Sequence, residues 1–183
     1  MEENGHAKLT DFGLSKEGVQ DPKAANSFCG SVAYLAPEIL SKSGHGKAVD
    51  WYLFGVLIYE MLTGVPPFFS ESKKDMFQKI MNEEPEIPNT LSQEAADLLL
   101  KLLRKDPYRR LGSGKLDAVD IKNHPWFSEL NWDMVKAKQY ELMDISVYEN
   151  LGNSPVDLGD GSSMGDSFEE TPEVGDEGDI SGH

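Results

Sequence analysis

Two short motifs carry the residues of this chain that are best suited to chemistry. Asp-Phe-Gly occupies residues 11–13 and Ala-Pro-Glu occupies residues 36–38, with 22 residues between them. Either tripeptide alone means little, since short matches arise by chance. In this order and at this spacing the pair is typical of phosphoryl transfer, a chemistry that depends on positioned carboxylates and divalent cations.

A long helix is the main element available to position these motifs. Residues 48–63 are apolar nearly all round, a pattern that predicts a helix buried inside a domain. Gly64 follows as a stop signal, and Pro66-Pro67 prevents the helix from continuing. Ile39-Leu40, after the second motif, is expected to close a short helix.

Three shorter helices are predicted downstream from apolar residues at helical spacing. The first covers residues 72–83, and the second begins after a Ser92 cap and ends at Asp106-Pro107. Asp117 is the expected cap of the third, which runs to Lys122 and stops before Pro125. The body is therefore predicted to be mainly helical.

The first residues resemble the second half of a β-hairpin. Asn4-Gly5 is the preferred central pair of a type I′ turn. Residues 6–10 alternate apolar and polar side chains, as a strand after that turn would. Only residues 1–3 precede the turn, so we expect a truncated hairpin with upstream sequence missing; the alternative is a frayed turn with no lost partner.

The negative charge is concentrated at one end of the chain. The formal net charge is −15, and residues 144–183 hold eleven Asp and Glu but no Lys or Arg. The rest of the chain is nearly balanced, which disfavours nucleic-acid binding because phosphates need a basic face. The polar composition of residues 144–183 cannot bury enough apolar surface to offset ordering, so we predict an acidic disordered tail.

Cysteine usage and hydropathy both bear on the compartment. Cys29 is the only cysteine, so no intrachain disulfide can form. The N-terminus lacks the basic-then-apolar pattern of a signal peptide. The longest strongly apolar run covers residues 51–59, far short of a membrane span. We expect a soluble, monomeric, cytoplasmic protein with no membrane span, and the nucleus is a second compartment open to it.

Five motifs in order identify a family that the chain resembles. They are KLTDFG (8–13), SFCGSVAYLAPE (27–38), GHGKAVDWYLFGVLIYEMLTGVPPF (44–68), DPYRRLG (106–112) and HPWF (124–127). Together they resemble the C-terminal lobe of a eukaryotic serine/threonine protein kinase of the AGC group. The segment at 129–135, ELNWDMV, looks like the start of that group's C-terminal extension.

This resemblance implies a fold class and a division of the chain. The fold class is mainly α, a protein-kinase-like C-terminal lobe with a short N-terminal β-strand remnant and the acidic tail. Residues 1–127 would be a partial kinase domain from the Asp-Phe-Gly region onward. Residues 128–143 would start the AGC-type extension, and residues 144–183 would be the disordered tail.

The resemblance also assigns roles around the activation segment, which runs from Asp-Phe-Gly to Ala-Pro-Glu (residues 11–38). Asp11 would hold Mg²⁺ against the phosphates of ATP, the expected cofactors of a full-length parent. Ser27 would be the activation-loop phosphorylation site, modified by an upstream activating kinase. Substrate-binding residues would be Phe28, Ser31, Val32, Leu35 and Glu60. For Glu60 the alternative is a carboxylate that reaches a local Arg or Lys.

Other matched residues would be structural or regulatory. Glu38 and Arg110 would form the buried ion pair that ties the activation segment to the lobe. Asp50 would anchor the catalytic loop, and Ser154 is a candidate phosphorylation site in the tail. Ala33 stands where most relatives carry Glu, so one acidic substrate contact is lost.

The matched region does not include several parts that kinases need. The Gly-rich loop, the ATP-contacting Lys and the catalytic Asp are absent from these 183 residues, so no catalytic residue is assigned and the catalytic Asp is expected upstream. The chain is thus expected to be part of an ATP-dependent kinase for Ser or Thr near basic residues, and to be incompetent alone. The alternative is a truncated, non-catalytic, kinase-like binding module.

Overall fold

A computed structural model describes residues 6–12, 15 and 32–140 of the chain. Six α-helices form in this part. They are α1 (Pro37–Leu40), α2 (Ala48–Thr63), α3 (Lys73–Asn82), α4 (Gln93–Leu102), α5 (Ala118–Lys122) and α6 (Trp132–Lys136). Short 3₁₀ turns lie at Val32–Tyr34, Pro107–Arg109 and Pro125–Phe127. The mainly helical fold class is confirmed.

The crossing of α2 and α4 is the centre of the core. Gly55 permits this close approach, because a Cβ there would lie 2.8 Å from Leu102 Cβ. The side chains buried at this crossing include Tyr52, Val56, Ile58, Leu98, Leu99, Leu102 and Leu103. Their burial holds the long helix in place, and the long helix in turn positions the residues of the candidate site.

Local signals set the helix ends much as the sequence predicts. Gly64 ends α2 in the left-handed conformation, with φ of 83°, which costs glycine little. Ser72 and Ser92 cap α3 and α4 by accepting hydrogen bonds from Asp75 N and Ala95 N. The sequence analysis did not predict α6, which begins after a similar cap by Asn131.

Three local predictions were wrong. Residues 6–10 form no strand, since no described segment pairs with them. Asp117 precedes α5 but does not cap it, because its Oδ1 accepts a hydrogen bond from Trp51 Nε1 at 2.8 Å instead. The apolar helix α2 is not buried all round: Leu57 and Met61 are 48% and 66% exposed, since no described element covers that side.

The length and composition of the described helices bear on membrane insertion. No helix among them combines the length and the apolar composition needed to cross a bilayer. The predicted hairpin turn at Asn4-Gly5 and the acidic tail lie outside the described residues.

Candidate functional site

The carboxylate of Glu60 lies beside the end of the activation segment. Glu60 is half-buried in the last turns of α2, and Tyr34 belongs to the 3₁₀ turn just before Ala-Pro-Glu. Tyr34 donates its hydroxyl hydrogen to Glu60 Oε2 at 2.7 Å. A contact across 26 residues of sequence therefore fixes one oxygen of the Glu60 carboxylate.

The bond to Tyr34 leaves the charge of Glu60 uncompensated. Tyr34 is a neutral donor, and its pKa is raised, chiefly by this hydrogen bond and then by burial. In the described part of the chain, Glu60 forms no ion pair with a Lys or Arg, and its Oε1 makes no hydrogen bond. The site thus presents a negatively charged carboxylate whose orientation is fixed by Tyr34.

Glu38 and Arg110 form a bidentate ion pair in the interior. Arg110 Nη1 donates to Glu38 Oε1 at 2.6 Å, and Nη2 donates to Oε2 at 3.0 Å. Their side chains are 4% and 0% exposed, respectively. This geometry attaches the end of the activation segment to the loop after α4, 72 residues away in sequence.

Backbone carbonyls satisfy the rest of the Arg110 guanidinium. Nη1 also donates to Ala48 O at 2.6 Å, and Nε donates to Arg104 O at 3.1 Å. The Tyr52 ring lies 4.9 Å from the guanidinium carbon. Burial raises the pKa of Tyr52, whose hydroxyl has no hydrogen-bond partner among the described residues. Arg110 is therefore enclosed by its partners at this contact, the Glu38–Arg110 junction.

Asp50, the predicted anchor of the catalytic loop, lies at the start of α2. It lies in the first turn of α2 and its side chain is exposed. Desolvation raises its pKa, the nearby Asp117 acts in the same direction, and His45 opposes both. The role of Asp50 as an anchor of the catalytic loop stays a prediction.

Asp11 is the candidate metal ligand, so its donor set can be tested. It is exposed, with φ of 61°, and the neighbouring Phe12 is 64% exposed. No group of three or more His, Cys, Asp or Glu in the described part of the chain is placed to hold a metal ion. Mg²⁺ needs several oxygen ligands. The described residues therefore do not form a complete Mg²⁺ site.

The other predicted site residues divide into two groups. Val32 is half-buried and packs against the core, while Leu35 is buried within it. Leu35 therefore contributes to packing, and the substrate-binding roles of Val32 and Leu35 stay predictions. Phe28, Ser31 and both candidate phosphorylation sites, Ser27 and Ser154, lie outside the described residues.

Tyr34 is a residue of the candidate site that was not predicted from the sequence. It lies inside the motif SFCGSVAYLAPE, one residue after Ala33, where the chain lacks the usual acid. The signal that could have identified it is a tyrosine among small and aliphatic residues, next to a predicted binding residue. Its partner on α2 follows only from the fold, because 26 residues separate the two.

Comparison with known proteins gives consistent matches. A family model described as "Protein kinase domain" matches residues 1–127. A ribosomal protein S6 kinase beta of Caenorhabditis elegans is 47% identical over 137 residues, which is 75% of this chain and 25% of that protein.

Two further relatives come from distant organisms. The human RAC-beta serine/threonine-protein kinase is 45% identical over 139 residues, covering 76% of this chain and 29% of that protein. The serine/threonine-protein kinase AtPK2/AtPK19 of Arabidopsis thaliana is 48% identical over 141 residues, covering 77% and 30%. The chain thus spans between a quarter and a third of the length of these relatives.

Proposed function

The chain belongs to the protein kinase family, and from that premise we propose that the whole protein is an ATP-dependent serine/threonine kinase acting near basic residues. The three relatives compared above are kinases, and two are named as serine/threonine kinases. The single observation that carries substrate choice is the Glu60 carboxylate, oriented by Tyr34 and not paired with a cation in the described part of the chain.

The chemistry of this carboxylate favours a guanidinium. One oxygen is held by a neutral donor at 2.7 Å, and the other is free to accept a charge-assisted hydrogen bond. Partial burial strengthens such a bond relative to one on an open surface. A planar guanidinium matches a carboxylate edge better than an ammonium does, so we propose arginine over lysine. The half-buried Ala33 supplies no second carboxylate next to Tyr34.

ATP and Mg²⁺ are the proposed cofactors of the whole protein, with Asp11 as one Mg²⁺ ligand. Ser27 is the proposed activating phosphorylation site, and an upstream kinase and basic protein substrates are the proposed partners. A cytoplasmic, monomeric state belongs to the same proposal. We propose further that the 183 residues alone do not transfer phosphate, because one candidate metal ligand cannot position a nucleotide.

Peptide binding tests the role of Glu60 without requiring catalysis. A fluorescent serine peptide with arginines on the amino-terminal side is titrated with the 183-residue chain and with the Glu60→Gln variant. We expect the substitution to weaken binding about tenfold or more, since a hydrogen bond to a charged group contributes about 1.5–3 kcal/mol. Glu129→Gln is the matched control, because Glu129 is exposed on the surface after Phe127.

Two further peptides complete this test. The arginines are replaced by lysines in one and by glutamines in the other, and the glutamine peptide should bind equally weakly to wild type and Glu60→Gln. Equal affinity of wild type and Glu60→Gln for the arginine peptide would refute the assignment of Glu60 as the basic-residue contact.

A non-catalytic binding module is the second candidate function. It is favoured by one contrast: the Glu60 site is assembled from described residues, whereas the described residues do not form a metal site. Incubating the chain with radiolabelled Mg-ATP and the arginine peptide tests its competence. Phosphate transfer above background would refute the proposed incompetence of these residues.

The upstream transcript separates the two candidates. In-frame codons for His-Arg-Asp and a following Asn, before the Met1 codon, support the kinase. A stop codon there, together with a protein of this size in cells, supports the binding module.

A further inference from the structure

Lys105 is half-buried, and its amine contacts an aromatic ring and a backbone carbonyl. It follows α4 in the chain, and its Nζ lies 3.6 Å from the centroid of the Phe68 ring. The same atom donates a long hydrogen bond of 3.4 Å to Lys79 O at the end of α3. Unlike a typical surface lysine, Lys105 is therefore held close to apolar atoms with a single weak acceptor.

The charged neighbours of Lys105 do not compensate this burial. Glu83 and Glu84 attract its charge but form no ion pair with it in the described part of the chain, and Arg110 repels it. Desolvation outweighs the two carboxylates and lowers the pKa of Lys105 to about 8. Lys47 and Lys101, by contrast, each have a carboxylate partner.

A cavity adjoins the same residue. It has a volume of about 340 Å³, and Lys105 lines it together with apolar residues such as Pro37 and Met81 and with polar residues that include Glu38 and Asp106. A volume of this order admits a small organic group. Lys105 is thus a desolvated lysine near the cation of Arg110, and the residue lines a cavity. Desolvation and a neighbouring cation are conditions that activate lysine as a nucleophile.

We propose that Lys105 is a site of covalent acylation by acyl thioesters, a modification independent of the proposed kinase function. The lone pair of the neutral amine attacks the acyl carbonyl carbon and forms a C–N bond. The C–S bond breaks, the thiolate leaves with the bonding pair, and the amine proton passes to solvent. The product is a neutral amide, so the charge over the Phe68 ring is lost.

The modification would act next to the Glu38–Arg110 junction. Arg110 Nη2 lies 3.5 Å from Lys105 O, so the backbone that carries the modified side chain also contacts the buried guanidinium. An acyl group that settles in the cavity would contact Pro37 on α1 and Pro107 on the loop that leads to Arg110.

Site-resolved acetylation tests the proposal. The full 183-residue chain is incubated with acetyl-coenzyme A at pH 7.5, and modification of each lysine is followed by mass spectrometry. At this pH an amine with a pKa of about 8 is roughly one quarter neutral, whereas an ordinary lysine is roughly one part in a thousand neutral. Because half-burial slows access, we expect Lys105 to react about tenfold faster than Lys101.

The pH profile and a denatured control separate folded-state activation from local sequence. The Lys105 rate should rise with pH and level off above about pH 8, where the amine becomes largely neutral. In concentrated urea the rates of Lys105 and Lys101 should become equal. A Lys105 rate no higher than that of Lys101 in the native chain would overturn the proposal, as would a preference that persists in urea.

Discussion

Glu38 and Glu60 belong to the same helical body but have opposite surroundings. Glu38 is buried, and both of its oxygens accept hydrogen bonds from one guanidinium. Glu60 is half-buried, and a neutral tyrosine hydroxyl holds one of its oxygens. The charge of the first carboxylate is compensated inside the chain, whereas the second has no Lys or Arg partner in the described part of the chain.

Burial explains why the two carboxylates need different partners. A buried carboxylate without a cation is costly, so Glu38 needs Arg110, and Arg110 in turn needs the carbonyls around it. A half-exposed carboxylate remains hydrated on one side and tolerates a neutral partner. Tyr34 therefore orients Glu60 without consuming its charge, and this distinction predicts very different responses to substitution.

The largest expected effect follows from breaking the buried pair. Arg110→Met leaves the Glu38 carboxylate buried without a cation and removes the donors to Ala48 O and Arg104 O. We expect the free energy of unfolding to fall by about 3–5 kcal/mol, as for other broken buried ion pairs. Urea unfolding, followed by tryptophan fluorescence, measures this change.

Two control variants test whether the effect is specific to the buried pair. Arg109→Met removes an exposed neighbouring guanidinium and should change stability by less than about 0.5 kcal/mol. The double variant Glu38→Gln with Arg110→Met should be less destabilised than the sum of the two single changes. Strict additivity would mean that the two side chains do not act as a pair.

Glu60 should respond in the reverse sense, with little loss of stability and a clear loss of recognition. Glu60→Gln retains an oxygen that can accept from Tyr34, so unfolding should change by about 1 kcal/mol or less. Tyr34→Phe removes the donor, and we expect a similarly small stability change with weakened binding of the arginine peptide. Destabilisation as large as that of Arg110→Met would show that Glu60 is structural.

The parts of the fold that depend on local chemistry were predictable from the sequence. The long helix and its end at Gly64 followed from an apolar run and a glycine, and the serine caps of α3 and α4 followed from residue type and spacing. In each case the deciding interactions lie within one or two turns of the residue that signals them.

The parts that depend on contacts between distant segments were not predictable. Asp117 has the residue type of a cap, but Trp51, 66 residues away, takes its carboxylate. Tyr34 gained its role from Glu60 on another element. The exposure of Leu57 and Met61 likewise depends on which elements surround α2, which a hydrophobic pattern does not encode.

Asp97 provides the smallest predicted effect and a direct test of burial against pairing. Lys101 Nζ lies 2.6 Å from Asp97 Oδ2, the same separation as the closest contact of the Glu38–Arg110 pair. The Asp97 side chain is 49% exposed, however, whereas that of Glu38 is 4% exposed. If distance alone decided stability the two pairs would match, but solvent screening should reduce the Asp97 pair to well under about 1 kcal/mol.

The acid limb of the stability curve measures this contribution. The pKa of Asp97 is lowered, mainly by the hydrogen bond from Lys101 and also by the bond to His124. Its stabilisation is therefore complete above the unfolded pKa of about 3.9 and is lost as pH falls through the lower folded pKa. Asp97→Asn should make stability fall slightly less steeply below about pH 4 than it does in the wild type. A change at Asp97 as large as that of Arg110→Met would mean that the distance between the paired atoms, and not their burial, decides how much an ion pair stabilises this fold.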